Sequence, residues 1–347
     1  MAMHVLQLGP YPPPEGGITR NMLAIRERLR VKGHRCSIIA TSRSSTVSDE
    51  PGVSHPRWAA ELIKLLRYSD HDVLHLHIGG DISRRVLSLA LAATVFGGPR
   101  TVMTMHSGGY AMTDEAKRAK PNSARGRIFR RFSRVIGVND ELADVFRRHG
   151  VDGSRISVIA PYGLEPPEES VVLAGPLNEF CERHSPLLVA VGGLEPDYEP
   201  IFLLKAMKDI LRDYPRAGLM IVGGGSMRGE VAAAVATSGN AAAICLAGDV
   251  PHAETLHLIQ RADVMLRTTL FDGDAISVRE ALFFGTAVIA TDNRMRPEGV
   301  RLIAQGDRAG LLERIREAMN TKTEREPTLD ADHSNIDRVI DLYSSLV

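Results

Sequence analysis

The sequence predicts an α/β fold of two doubly wound parallel-sheet domains, and three observations carry that prediction. Short apolar, β-branched runs alternate with helix-length segments, the repeated βαβ signature of a sheet covered by helices. The alternation halts at YGLEPPEESVVLAGP, rich in proline and acid as a linker is, and starts again at Leu187. Charge divides at the same place. Residues 1–165 hold 24 Lys and Arg against 15 Asp and Glu, net +9, and the remainder holds 18 against 27, net −9. The expected organisation is an N-terminal domain over 1–165, a linker over 166–185, a second domain over 186–325 and a closing helix within 326–347, where NIDRVIDLYSSLV has apolar residues at helical spacing.

In the first half, strands are expected at His4 to Leu8, Cys36 to Ala40, Val73 to His77, Thr101 to Met105, Val135 to Val138 and Ser157 to Ile159. In the second they are expected at Leu187 to Val191, Gly218 to Val222, Ala243 to Ala247, Val264 to Leu266 and Ala287 to Ala290. Ligands of such sheets bind outside the carboxyl ends of the strands. After the first strand comes GPYPPPEGGITRN, in which Gly16 and Gly17 open a helix and let backbone approach a ligand. His106 ends the fourth strand, in HSGGY. His75 and His77, in VLHLHIGG, are read as facing opposite sides of their strand, and neither is taken as a metal ligand. IVGGGSMRGE has Arg228 where a dinucleotide fingerprint needs its third glycine, and no P-loop occurs, so a dehydrogenase and a P-loop kinase are disfavoured.

Composition bounds the rest. With 44% hydrophobic and 24% charged residues the chain is an ordinary globular protein. Cys36, Cys181 and Cys245 are widely spaced, which suits a reducing cytoplasm and neither a disulfide framework nor a zinc site. MAMHVLQLGPYPPP reads as a first strand, not a signal peptide, and the longest apolar run, Val86 to Phe96, is too short to cross a bilayer. The basic run Lys117 to Arg134 has only Phe129 and Phe132 as aromatics, so nucleic acid is not an expected partner. It is read as resting on anionic lipid, at about 1 kcal/mol per cation near the surface, with a solvated face as the alternative.

The densest signal is LRTTLFDGDAISVREALFFGTAVIATD, Leu266 to Asp292. An acidic turn, Asp272, Gly273 and Asp274, leads into a helix that ends at Gly285. Ala275, Ile276 and Ser277 would present unpaired amides at the positive end of that helix, a seat for phosphate. Glu280 follows Asp272 by eight residues, about two helical turns. Two carboxylates flanking an anion seat match the phosphate and hydroxyls of a sugar nucleotide.

Together with the Gly16–Gly17 loop, the HLH strand end, TMHSGG, VIGVND, ISVIAPYGLE, LLVAVGGLEP, LMIVGGGSMRGE and ICLAGDVPHAETLHLIQRADVML, this segment resembles the retaining glycosyltransferases of family 4 (glycosyltransferase group 1). Asp272-x7-Glu280 looks like that family's E-x7-E element. The resemblance implies the GT-B fold, two Rossmann-like domains facing a central cleft, with the closing helix packed back on the first domain. It implies that Glu280 holds the nucleotide ribose and Asp272 a hydroxyl of the donor sugar. Amides near Ile276 and Ser277 would bind the diphosphate, Gly17 would bring its amide to the same diphosphate, and His106 would contact the transferred sugar. Gly16, Gly193, Gly273, Asp274 and Ala275 complete the expected donor-binding set, and His106, Asp272 and Arg267 the catalytic one.

The implied reaction moves a sugar from a UDP- or GDP-linked donor to a hydroxyl of a glycan or lipid-linked acceptor, with retention of anomeric configuration. Its setting would be envelope polysaccharide (lipopolysaccharide or capsule) or glycolipid synthesis, in the cytoplasm or peripherally on the inner face of the membrane. No metal or cofactor is expected. The sequence departs from the family at two places: Gly193, and Tyr198 or Glu199, stand where relatives carry a diphosphate-neutralising Arg and Lys. Arg267 is the best replacement cation, with a salt bridge to Asp272 or Asp274 as the alternative; Arg279, Arg294 and Arg296 are weaker ones. Asp272 is also one methylene shorter than the usual Glu. The rival functions are a nonenzymatic sugar-nucleotide-binding subunit, a GT-B sugar-nucleotide epimerase and, more distantly, a nicotinamide oxidoreductase.

Overall fold

The computed structural model describes residues 2–11, 16–42, 50–164, 166–167, 171–271, 275–321 and 332–347. The chain divides into two compact units, Met1–Gly163 with Asp332–Val347, and Leu164–Ala331.

The first unit is built on β1 (His4–Gly9), β2 (Arg35–Ala40), β3 (Val53–Ser54), β4 (Val73–Ile78), β5 (Thr101–Met105), β6 (Arg134–Gly137) and β7 (Ile156–Val158), all parallel, in the order β3-β2-β1-β4-β5-β6-β7. The order reverses between β1 and β4, the switch point where such sheets bind ligands. Both faces are covered, so the strands are continuous apolar runs. Leu6, Leu8, Leu74, Leu76, Met103 and Met105 face the helix Arg84–Phe96. On the opposite face, Val5, Val73, Val102 and Ile136 receive Ile25 and Leu29 of the helix Gly17–Val31. The same face takes Ile336, Val339, Ile340 and Tyr343 of the closing helix Ser334–Ser344. Each fully buried aliphatic there contributes about 1.5–3 kcal/mol. Asp337 adds a bidentate pair to Arg28, at 2.8 and 2.6 Å, and a contact to Lys32 at 2.9 Å. The hydrogen bond from Arg28 is the largest cause of its carboxyl falling to about 2.

The second unit carries β8 (Leu187–Val191), β9 (Gly218–Val222), β10 (Ile244–Gly248), β11 (Val264–Arg267), β12 (Ala287–Thr291) and β13 (Arg301–Ile303), parallel, in the order β10-β9-β8-β11-β12-β13. Here the switch point lies between β8 and β11.

The structure corrects the expected outline in three places. The two- and three-residue edge strands β3 and β13 were not expected, because runs so short show no alternation. Residues 175–183, read as linker, form a helix whose Phe180 and Cys181 pack under Leu187 and Val189. Its Gly-Pro start placed Pro176 in the first turn, where proline is tolerated, and not in a linker. Among the described residues no helix is long and apolar enough to cross a membrane.

Candidate functional site

In the second unit, Arg267 ends β11 and is 7% exposed. Its Nη1 donates to the carbonyl of Val191 at 2.5 Å, and its guanidinium lies 4.8 Å from the centre of the Tyr198 ring. Gly192 lies over this stacked pair; a Cβ there would come within 2.4 Å of Tyr198 and 2.7 Å of Arg267 Nη1. The loops after β8 and β11 are joined by Leu270 N–H to the Asp197 carbonyl (2.8 Å) and Thr268 Oγ1 to the Tyr198 carbonyl (3.2 Å). Val191, Gly192, Gly193, Tyr198, Arg267 and Thr269 line a shallow hollow at this switch point. The glycines of IVGGGSMRGE serve close packing of the neighbouring loop. Gly223 has φ +129, and a Cβ on it would lie 2.1 Å from the Gly192 carbonyl oxygen.

The helix Ile276–Phe283 starts at Ala275, which is extended, without a side-chain cap among the described residues and without an acid in the first turn. Val278 and Arg279 N–H both return to the Ala275 carbonyl, at 3.0 and 3.3 Å, so the amides of Ile276 and Ser277 lead the helix. Uncapped amides at a positive helix end favour an anion. Gly285 ends the segment at φ +69. Glu280, 5% exposed, receives His252 Nε2 on Oε1 at 2.7 Å, its sole side-chain partner among the described residues. A buried carboxylate accepts only, so its second oxygen suits a ligand hydroxyl. Sequence reading missed His252; the signal was Pro251-His252 opening a helix straight after a strand-end loop.

The other expected cations divide. Arg296 donates Nε to the Thr291 carbonyl at 3.0 Å, and Nη2 to the carbonyl and hydroxyl of Thr269 at 3.0 and 2.9 Å. It therefore pins the loop after β11 through Nε and Nη2. Arg294 is exposed in a left-handed turn at φ +64, and Arg279 is half-buried on its helix. Glu199 also takes a left-handed conformation, φ +50, directly before the helix Pro200–Asp213, and burial raises its carboxyl. Asp272, Gly273 and Asp274 lie outside the described residues.

In the first unit, Gly16 precedes the helix Gly17–Val31, whose leading amides have no side-chain cap among the described residues. Gly79, after β4, allows close approach of that first turn: a Cβ there would lie 2.1 Å from Ile18 Cδ1. His106 follows β5, its N–H bonded to the Ile78 carbonyl at 2.8 Å and its Nε2 lying 3.2 Å from His77 Nδ1. Burial pushes its imidazole down to about 3. His75 and His77 do not face opposite sides. Residues two apart on a strand share a face, and these rings stand 3.9 Å apart.

The basic run is only partly available to a surface. Arg125 pairs with Glu115 at 2.5 Å and bonds the Ile82 carbonyl at 2.8 Å, and Arg130 bonds the carbonyls of Gly126 and Pro121. Lys117, Arg118, Lys120, Arg127 and Arg131 are exposed.

Comparison with known proteins follows the same division. Residues 15–161 match the family described as Glycosyltransferase Family 4, and residues 181–327 match Glycosyl transferases group 1. Phosphatidyl-myo-inositol mannosyltransferase of Mycobacterium tuberculosis (strain CDC 1551 / Oshkosh) is 25% identical over 300 residues, 80% of this chain and 74% of that protein. Anabaena HepE, solved in complex with UDP-glucose, superposes with a TM-score of 0.71 at 14% identity, covering 99% of this chain and 100% of that one. The catalytic domain of starch synthase IV from Arabidopsis thaliana, bound to ADP and acarbose, gives 0.69 at 15% identity, covering 100% and 99%. Both halves are matched and both sheets have the expected form, so the chain belongs to the glycosyltransferase group 1 family and is a glycosyltransferase of GT-B fold.

Proposed function

We propose that this glycosyltransferase retains anomeric configuration and works without a metal, moving a sugar from a UDP- or GDP-linked donor to a hydroxyl of a glycan or lipid-linked acceptor. The observation that carries this reading is Glu280. Its buried carboxylate is oriented by His252 on a helix whose first amides, those of Ile276 and Ser277, have no side-chain cap among the described residues. Ribose hydroxyls would bond Glu280, and the diphosphate would take the amides. The structures of HepE with UDP-glucose and of starch synthase IV with ADP support a nucleotide-linked donor, and the mannosyltransferase named for phosphatidyl-myo-inositol supports a lipid-linked acceptor.

Charge develops on the departing diphosphate, so preorganised donors supply most of the acceleration. The amides of Ile276, Ser277 and Gly17 would meet that charge, with Arg267 at the edge of the hollow. On the same face of the sugar, the acceptor hydroxyl gives its proton to the leaving phosphate oxygen as the new bond forms. His106 would hold a sugar hydroxyl, and Asp272 a second one. Envelope polysaccharide or glycolipid synthesis on the inner face of the membrane fits the exposed cations among Lys117 to Arg134.

Thermal stabilisation by UDP, GDP, ADP and CMP sugars, followed by product analysis with the donor that binds, tests the reading. Retained linkage formed in the presence of a chelator is the expected outcome; inversion or a strict metal requirement refutes it. Binding to anionic vesicles that added salt reverses is expected of the basic run. A second reading, a nonenzymatic binding subunit, is favoured by Gly193, and Tyr198 or Glu199, at the places of the two missing cations. Donor binding without turnover under any acceptor would select it.

A further inference from the structure

Four side chains not assigned a common role lie on one face of the first sheet. His75 and His77 alternate on β4, and Thr104 and His106 continue the same face of β5, with His77 in register with Thr104. His75 is satisfied at both nitrogens, by Tyr343 Oη at 2.5 Å and Thr104 Oγ1 at 2.7 Å. His77 is not. Its Nδ1 lies 3.2 Å from His106 Nε2, while its Nε2 is buried with no hydrogen-bond partner among the described residues.

This asymmetry selects a tautomer. Burial holds His77 and His106 well below the ordinary imidazole range, so both rings are neutral and one must donate to the other. Were His77 the acceptor, its proton would sit on Nε2, a buried donor with nothing to bond. Were it the donor, Nε2 would carry only a bare lone pair, and buried orphan N–H groups are the rarer and costlier case. The far nitrogen of His106 does not decide the matter, since His106 is half-buried and its outer edge can be satisfied by solvent in either form.

We infer that His77 is a positioning residue: its Nδ1–H donates to His106 Nε2, fixing His106 as the Nδ1–H tautomer and so as a hydrogen-bond donor towards whatever meets its open edge. On the reading of His106 as a sugar contact, which this inference adopts, that edge receives a hydroxyl oxygen of the donor sugar. His106 then acts as a donor to the sugar and not as a base.

Histidine-selective 15N labelling of the full chain tests this without substrate. The chain has 12 histidines, and the His106 ring is assigned by loss of its signals in His106→Gln. Long-range proton–nitrogen correlations should show Nδ1 protonated and Nε2 bare; a protonated Nε2 overturns the inference. His77→Phe should move His106 towards the Nε2–H form preferred by free imidazole, whereas His77→Asn, whose amide places an N–H where Nδ1 stood, should restore Nδ1–H. An unchanged spectrum in His77→Phe also overturns it. In transfer assays His77→Phe should lose roughly tenfold in kcat/KM, as expected for one misdirected hydrogen bond, and His77→Asn should recover most of it. Equal losses in the two variants would reduce His77 to packing. If His106→Ala leaves donor binding and turnover unchanged, the sugar-contact reading fails while the tautomer assignment stands or falls on the spectra alone.

Discussion

Arg267→Met separates the loop-clamping contacts that the structure shows for this side chain from the leaving-group role proposed for it. The substitution keeps the length and most of the apolar stem while removing the guanidinium. A bond from a charged donor to the Val191 carbonyl contributes about 1.5–3 kcal/mol. The stacking of the guanidinium over Tyr198 contributes about 1–2 kcal/mol, since the site is largely shielded from solvent. A loss of about 3 kcal/mol follows, which for a unit of this size lowers the melting temperature by roughly 6–12 °C. Transition-state charge is a separate matter. Removing one preorganised donor to a developing oxyanion costs about 100- to 1,000-fold in kcat. Scanning fluorimetry reads the first effect, and nucleoside diphosphate release, measured well below the lowered melting temperature, reads the second. Arg267→Lys should restore little of the stability, because an ammonium lacks the planar fork, and part of the rate. A melting temperature within about 2 °C of the parent refutes the loop-clamping role, and a kcat within about threefold refutes the leaving-group role.

Three further outcomes follow from the same geometry. Glu280→Gln should weaken UDP binding, read by calorimetry, by about 10- to 100-fold, because hydroxyl bonds to a carboxylate are worth about 1.5–3 kcal/mol each; unchanged affinity would remove Glu280 from the ribose. Gly192→Ala puts a methyl within 2.4 Å of Tyr198 and 2.7 Å of Arg267, and should cost about 1–3 kcal/mol in denaturant unfolding; a neutral effect would mean the loop yields freely. His106, held at about 3 by burial, binds no proton in the folded state between about pH 3 and the ordinary value of 6.5, whereas the unfolded chain does. Stability therefore rises with pH across that window and falls on acidification through it. The melting temperature should drop between pH 7 and pH 5, less so in His106→Gln, and kcat/KM should show no His106 inflection there; an inflection that vanishes in His106→Gln would refute its neutrality.

The regular elements were legible because their signals are local. All eleven expected strands form, with ends shifted by a residue or so, since β-branched runs bounded by turns carry their own boundary. The helix Ile276–Phe283 was readable for the same reason: an acidic, glycine-containing stretch before it in the sequence and the glycine stop at Gly285. What failed was local in a different sense. Phe180 and Cys181 looked like linker residues because their partners, Leu187 and Val189, belong to a strand that only the fold sets beneath them. The shared face of His75 and His77 was also local, since residues two apart on a strand point the same way.

The sequence by itself determined the class of the molecule: two parallel-sheet domains, a helix opening after β11, and a carboxylate further along it. These depend on spacing along one segment, where backbone geometry alone dictates the outcome. The tertiary structure decided which side chains answer to one another. It brought His252 to Glu280 from a different strand-end loop, engaged Arg267 with Val191 and Tyr198 under the glycines after β8, and committed Arg296 to backbone carbonyls. It also set His77 against His106 across two strands. Contacts of this kind join residues far apart in the chain, and their partners are chosen by sheet order and burial, quantities that no single stretch of sequence contains.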